Sequence, residues 1–233
     1  MRRVLSISGW TMVWSGLGLL GFVAFQLYGT DLLNARHQAE AAETIEVVLD
    51  ERRDTMPAPE PPPTTAAGEP VEELPVLLRE PELDEGEPLG RIRIPAIGVD
   101  QVLFEGVSVE TLKQGPGHMP WTVFPGQPGN AVISGHRVTH GRPFYDLDLL
   151  VDGDIIEVET ATGTHRYTVR DRAVVLPTDV WVTDPRRGAW LTLTTCNPKH
   201  SARERLIVFA ELTEGPNLDY VDYLVLTGID EAA

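Results

Sequence analysis

A second cysteine is missing. Cys196 is the single thiol in 233 residues, so no intramolecular disulfide can close, and a domain outside the cytoplasm has to be held by its core alone. Clustered basic residues are missing as well. Lys and Arg number 19 against 35 Asp and Glu, a formal net charge of −16, and without grouped cations to neutralise phosphates a nucleic-acid partner is excluded. No segment carries the dense alternating oxygen ligands of a calcium loop, so no metal site is expected, nor any cofactor. No internal repeat is evident. What is present suffices for one folded domain, since 42% of the residues are hydrophobic and the length allows one ordinary domain with extensions.

The apolar residues are not spread evenly. Met1, Arg2 and Arg3 precede an uncharged run from Val4 to Thr30, longer than the roughly 20 residues a helix needs to cross a bilayer. Trp10, Trp14 and Tyr28 stand where interfacial anchors belong, and the two arginines orient the N-terminus inward. A cleaved signal peptide is the competing reading, but the apolar core is long for one and Gly29-Thr30-Asp31 is a poor cleavage site. Residues 1–31 are therefore expected to be a cytoplasmic end plus transmembrane anchor, giving a single-pass cell-membrane protein with its domain outside.

Residues 31–90 hold 16 acidic and 4 basic side chains. Few breakers interrupt 32–54, which read as a juxtamembrane helix. The nine prolines from Pro57 to Pro88, among many acids, then read as a semi-extended, solvated spacer. Residues 32–89 are thus expected to be a tether, 90–214 the folded domain and 215–233 a C-terminal extension. Within the domain, short β-branched runs recur between glycine-marked turns: 91–94, 130–133, 154–158, 165–170, 190–195 and 206–209. Many short strands in so few residues imply an all-β barrel or sandwich.

Trp190 to Cys196 alternates as a strand, and Asn197-Pro198 breaks its ladder because proline lacks a donor. Arg205 opens the apolar run Leu206-Ile207-Val208-Phe209, so a hairpin-like return brings it back beside Cys196. A guanidinium next to a thiol favours the thiolate and can donate to a developing oxyanion. Taken singly, a cysteine in a strand is more often an inert core residue, and an arginine more often a surface charge. Of six histidines, His136 ends the strand-like Asn130-Ala131-Val132-Ile133-Ser134-Gly135. His37 falls in the tether. His118, His140, His165 and His200 fall in turn-rich or polar surroundings, where a solvated ring is the ordinary outcome. Spacing alone does not choose among them.

The segment Thr192-Leu193-Thr194-Thr195-Cys196-Asn197-Pro198, followed by Ser201-Ala202-Arg203-Glu204-Arg205-Leu206-Ile207-Val208, resembles the active-site signature of sortases. Gly129 to Arg137 resembles that family's histidine motif, and Gly115-Pro116-Gly117-His118 with Pro125-Gly126 the segment before it. The resemblance covers about residues 90–214 and is most like class E sortases of high-GC Gram-positive bacteria. It implies a closed eight-stranded β-barrel with short helices, and a cysteine transpeptidase with Cys196 as nucleophile, His136 as proton-transfer partner and Arg205 as oxyanion stabiliser. It also implies a Leu-Ala/Pro-x-Thr-Gly-like sorting signal, cleaved between Thr and Gly through a Cys thioester, and a peptidoglycan-precursor amine as acceptor. One departure is Met119, where class E relatives often carry Tyr, and it bears on substrate preference. Arg203 competes with Arg205, and His140 with His136.

Two other functions compete. A cysteine peptidase would hydrolyse the same thioester, and a non-catalytic membrane-tethered β domain would bury Cys196 unreactive. At the C-terminus, Leu224-Val225-Leu226-Thr227-Gly228 has the Leu-x-x-Thr-Gly form, but only five residues follow it, so coincidence is the expected reading.

Overall fold

A computed structural model describes residues 2–25, 29–60 and 75–228 of the chain. Tyr28 of the expected anchor, Pro61, Pro62, Pro63 and Pro70 of the expected spacer, and the tail 229–233 lie outside the described residues.

Eight strands close into one barrel: β1 (Pro88–Ile94), β2 (Val99–Glu105), β3 (Gly117–His118), β4 (Gly129–Ser134), β5 (Ile155–Thr160), β6 (Gly163–Val175), β7 (Ala189–Asn197) and β8 (Glu204–Glu214). Their order around the barrel is β1-β2-β3-β4-β7-β8-β6-β5. The period-2 alternation decides which side chains fill it. Ile92 and Ile94, Ala131 and Ile133, Leu191 and Leu193, and Leu206, Val208 and Ala210 all point inward into one core. The opposite faces of β7 and β8 are therefore available outside the barrel, where Ile207 and Phe209 pack under Val182 of a 3-10 turn at Val180–Thr183.

The expected strands all fall on β1, β4, β5, β6, β7 and β8. β2 and β3 were not expected, and β2 has a physical reason for its poor signal. Val102, Leu103 and Phe104 are consecutive and all buried. Leu103 faces the core, while Val102 and Phe104 are covered from outside by Ile45 and Leu49 of helix α2 (Thr30–Thr55). Burial on both faces erases alternation.

α2 spans the stretch 32–54 expected to be helical, with Asp31 in its first turn and Arg52 and Arg53 in its last, both favourable to the helix dipole. It lies against the barrel along one stripe of Thr30, Asn34, Gln38, Ile45 and Leu49. The C-terminal part of the expected spacer is also packed rather than solvated. Leu77 is fully buried with Tyr220 and Leu224, and the buried Glu80 accepts from the Thr162 amide at 2.8 Å. Short polar and apolar side chains here find specific partners on the barrel, which proline content alone does not reveal.

Helix α1 (Arg2–Ala24) precedes α2. Among the described residues, no helix is long and apolar enough to cross a membrane. Helices α3 (Val109–Gln114) and α4 (Leu218–Thr227) complete the fold. Leu224 to Thr227 form the last turn of α4, closed by Gly228 in the left-handed conformation at φ 70°, so this Leu-x-x-Thr-Gly stretch is helical with its Leu buried.

Candidate active site

The register of three strands assembles the site. β4 runs parallel to β7 with Ser134 opposite Thr194. Two further bonds extend that pairing, from the Gly135 amide to the Thr194 carbonyl at 3.1 Å and from the Thr195 hydroxyl to the Gly135 carbonyl at 2.7 Å. The residues immediately beyond these stitches are His136 and Cys196. On the other side β8 runs antiparallel to β7, with Arg205 directly opposite Cys196, which puts both side chains on one face with β-carbons about 5 Å apart. That face is the outer one, because Thr195 and Leu206 on the alternate positions are buried.

Each of the three is partly accessible. Cys196 is a free thiol of intermediate exposure, and His136 and Arg205 are half-buried. Arg205 spends one guanidinium nitrogen on the β7–β8 loop, donating from Nη1 to the carbonyls of Ala202 and Glu204, both at 3.0 Å. Arg203 is exposed and lies just before β8 begins at Glu204, so it is not part of the ladder facing Cys196.

Burial pushes the His136 imidazole below its ordinary value, helped by the positive fields of His140 and Lys113. A depressed imidazole is neutral at neutral pH and can accept a proton from a neighbouring thiol. His140 is the direct neighbour of His136. Its ring stacks on His136 with centroids 4.9 Å apart and an interplanar angle of 29°. Two of the other histidines, expected in solvent, are buried instead. His118 bonds through Nδ1 to the Glu105 carboxylate at 2.7 Å, and His165 stands among Thr160 and Thr162.

Arg137 is the residue that sequence reasoning passed over. It is 3% exposed, and its Nη1 donates to the Cys196 carbonyl at 3.2 Å and to Asn197 Oδ1 at 2.8 Å. Nε reaches the Tyr145 carbonyl at 3.4 Å, and Nη2 pairs with Asp148 at 2.8 Å. Following His136 directly, it ties the end of β4 to the peptide bearing the thiol. Its adjacency to His136 in the motif was the available signal. Asn197 in turn donates to Glu204 at 2.8 Å, closing a polar frame around Cys196.

A cleft of about 620 Å³ lies at the far end of β4 and β7, lined by Trp121, Asn130, Arg186, Arg187 and Val221. The three predicted site residues do not line it. Among the described residues, no group of three or more His, Cys, Asp or Glu is arranged to hold a metal ion.

A single free thiol near the end of β7 thus has an arginine opposite it on β8 and a histidine just beyond the end of β4. The Sortase domain family matches residues 92–213, and the chain belongs to the sortase family. Sortase SrtE1 of Streptomyces coelicolor is 29% identical over 218 residues, covering 88% of this chain and 56% of that protein. Sortase SrtE2 of the same organism is 28% identical, covering 59% of this chain and 60% of that protein. The chain thus spans little more than half the length of these relatives. A solved sortase E from Streptomyces avermitilis is 37% identical with a TM-score of 0.53, covering 57% of this chain and 91% of that one. A Clostridium perfringens Sortase D5 transpeptidase is 26% identical with a TM-score of 0.58, covering 78% of this chain and 98% of that one. The chain is a sortase similar to class E.

Proposed function

We propose that the chain is a membrane-anchored cysteine transpeptidase in which Cys196, His136 and Arg205 act together on a Leu-Ala/Pro-x-Thr-Gly-like sorting signal. The observation that carries this is the double register on β7, with Arg205 opposite Cys196 and His136 beyond the β4 partner of Thr194. A neutral His136 takes the Cys196 proton as the sulfur attacks the Thr carbonyl carbon. The oxyanion that forms meets the Arg205 guanidinium, whose fork matches such an oxygen better than a point charge. As the Thr–Gly bond breaks, His136 returns its proton to the departing glycine amine and leaves a thioester. An acceptor amine, in the cell a peptidoglycan-precursor amine, then attacks the thioester, loses its proton to His136 and releases the thiol.

The anchor in this reading is the uncharged run from Val4 to Thr30, of which α1 is one part and residues 26–28 lie outside the described residues. Its residues 9–23 are exposed on every face, including Trp10 at 62% and Leu20 at 67%, and an apolar helix without a polar face belongs in lipid or a core. Arg2 and Arg3 hold the N-terminus inside and the barrel outside.

The test uses the full chain in detergent micelles, with Leu-x-x-Thr-Gly peptides and an amine, read by mass spectrometry. The expected product is the amide of the Thr carboxyl group, with Cys196→Ala forming neither product nor thioester. Peptide cleavage by folded Cys196→Ala would overturn the mechanism, and a free Thr carboxylate as the only product despite added amine would make the protein a cysteine peptidase.

A further inference from the structure

The loop after His136 has strained backbone. His140, Gly141 and Arg142 are three successive residues with positive φ, at 52°, 76° and 50°. Two of them carry β-carbons, which disfavour this region, so the turn persists only because its surroundings hold it. Successive main-chain amides in such a turn form a concavity that suits an anion.

The first turn of α2 supplies one. Asp31 Oδ1 accepts from the Gly141 amide at 3.0 Å, and Oδ2 pairs with Arg142 Nε at 3.2 Å. Asn34 stands so close that a β-carbon on Gly141 would lie 1.9 Å from its Oδ1. Asn34 is itself fixed, donating from Nδ2 to the Lys113 and Gln114 carbonyls at 2.9 and 2.8 Å. One turn further on, Gln38 bonds both the amide and the carbonyl of Val102. The clasp is therefore referenced to the barrel on one side and to the histidine loop on the other. Beyond the clasp, His140 has a buried Nδ1 with no hydrogen-bond partner among the described residues. Its ring is placed by its backbone and by its stack on His136.

We propose that Asp31 is a positioning residue for His136: its carboxylate locks the left-handed turn 140–142 and, through the His140 ring, fixes the plane in which His136 meets Cys196. This rests on His136 being the proton-transfer group. Asp31 touches no reacting atom, so its loss acts on turnover through geometry, leaving peptide binding alone.

The experiment compares the full chain with Asp31→Ala, Asp31→Asn, Arg142→Ala and His136→Ala in one detergent. Asp31→Ala is expected to lower kcat roughly tenfold to a hundredfold, the range small misplacements produce, with KM within about twofold and a melting midpoint within about 3 °C of the parent. Asp31→Asn retains an acceptor for the Gly141 amide and should recover much of the loss. Arg142 is exposed and its removal leaves the Gly141 bond intact, so Arg142→Ala should fold and lose kcat more mildly, which keeps the test alive if Asp31→Ala fails to fold. Parental kcat in folded Asp31→Ala, or in Arg142→Ala where the former does not fold, overturns the proposal. So does a rise in KM alone, or a kcat loss that disappears well below the melting midpoint. Full turnover in His136→Ala would instead overturn the role given to His136, a result distinct from the others.

Discussion

Replacing Arg137 by Met keeps most of the buried stem and deletes the guanidinium that holds the Cys196 peptide. Four contacts go with it. The Asp148 side chain is 42% exposed, so that ion pair is screened and contributes at most about 1 kcal/mol. The 3.4 Å bond to Tyr145 is long and adds little. The bonds to the Cys196 carbonyl and Asn197 Oδ1 are charge-assisted, at roughly 1.5–3 kcal/mol each. Some of their acceptor capacity is regained from water at the site rim, which leaves an expected loss of about 3 kcal/mol, or roughly 6–12 °C in melting midpoint for a protein of this size. Urea unfolding of the full chain in detergent measures it. Alkylation of Cys196 under native conditions supplies a second readout, because a freed Cys196 peptide should change the rate. A loss below about 1 kcal/mol with an unaltered alkylation rate would refute the view that Arg137 ties the two strand ends together.

Two other outcomes follow from the same geometry. Arg205→Lys keeps a charge but not the planar fork, so turnover should stay strongly impaired, while Arg203→Lys should be mild. Peptide cleavage by the folded variants decides between them, and the reverse ranking would move the oxyanion role to Arg203. Burial drives the His165 imidazole from its ordinary 6.5 down to about 4. The unfolded chain therefore binds that proton first, so stability is level above about pH 6.5 and falls as pH drops towards 4, by about 2 kcal/mol at pH 5. His165→Gln should flatten that slope in urea titrations at pH 7.5 and 5, and an equally steep slope in the variant would rule this His out.

What the sequence made legible follows from pattern and from local order along the chain. Inward alternation in Ala131/Ile133, Leu191/Leu193 and Leu206/Val208 marked the strands, and the short return from Cys196 to Arg205 brought two candidate site residues together before any fold was known. The choice of His136 needed more than spacing, because its relation to Cys196 runs through the parallel pairing of β4 with β7, 60 residues apart for Thr195 and Gly135. The docking of α2 was hidden for another reason. The upper half of its buried stripe is Thr30, Asn34 and Gln38, and polar side chains that bury themselves on backbone groups look like solvated ones in a sequence. His118 misled in the same way, since turn-rich flanks say nothing of its buried partner Glu105, and His165 is buried beside Thr160 and Thr162.

Gln38 illustrates a wider consequence. β3 is only two residues long and pairs with β2 at Phe104 and Glu105, leaving Val102 beyond its reach. The Gln38 amide fills that gap, offering one acceptor and one donor to Val102 as a neighbouring strand would. The barrel is thus sealed at this seam by a side chain from a helix. A shortened protein beginning at residue 55, otherwise a natural way to obtain the domain without its anchor, would open the seam and uncover Val102 and Phe104 together. An unpaired strand edge beside fresh apolar surface is a template for pairing with another molecule. Self-association of such a fragment would then report the missing helix rather than a native oligomer.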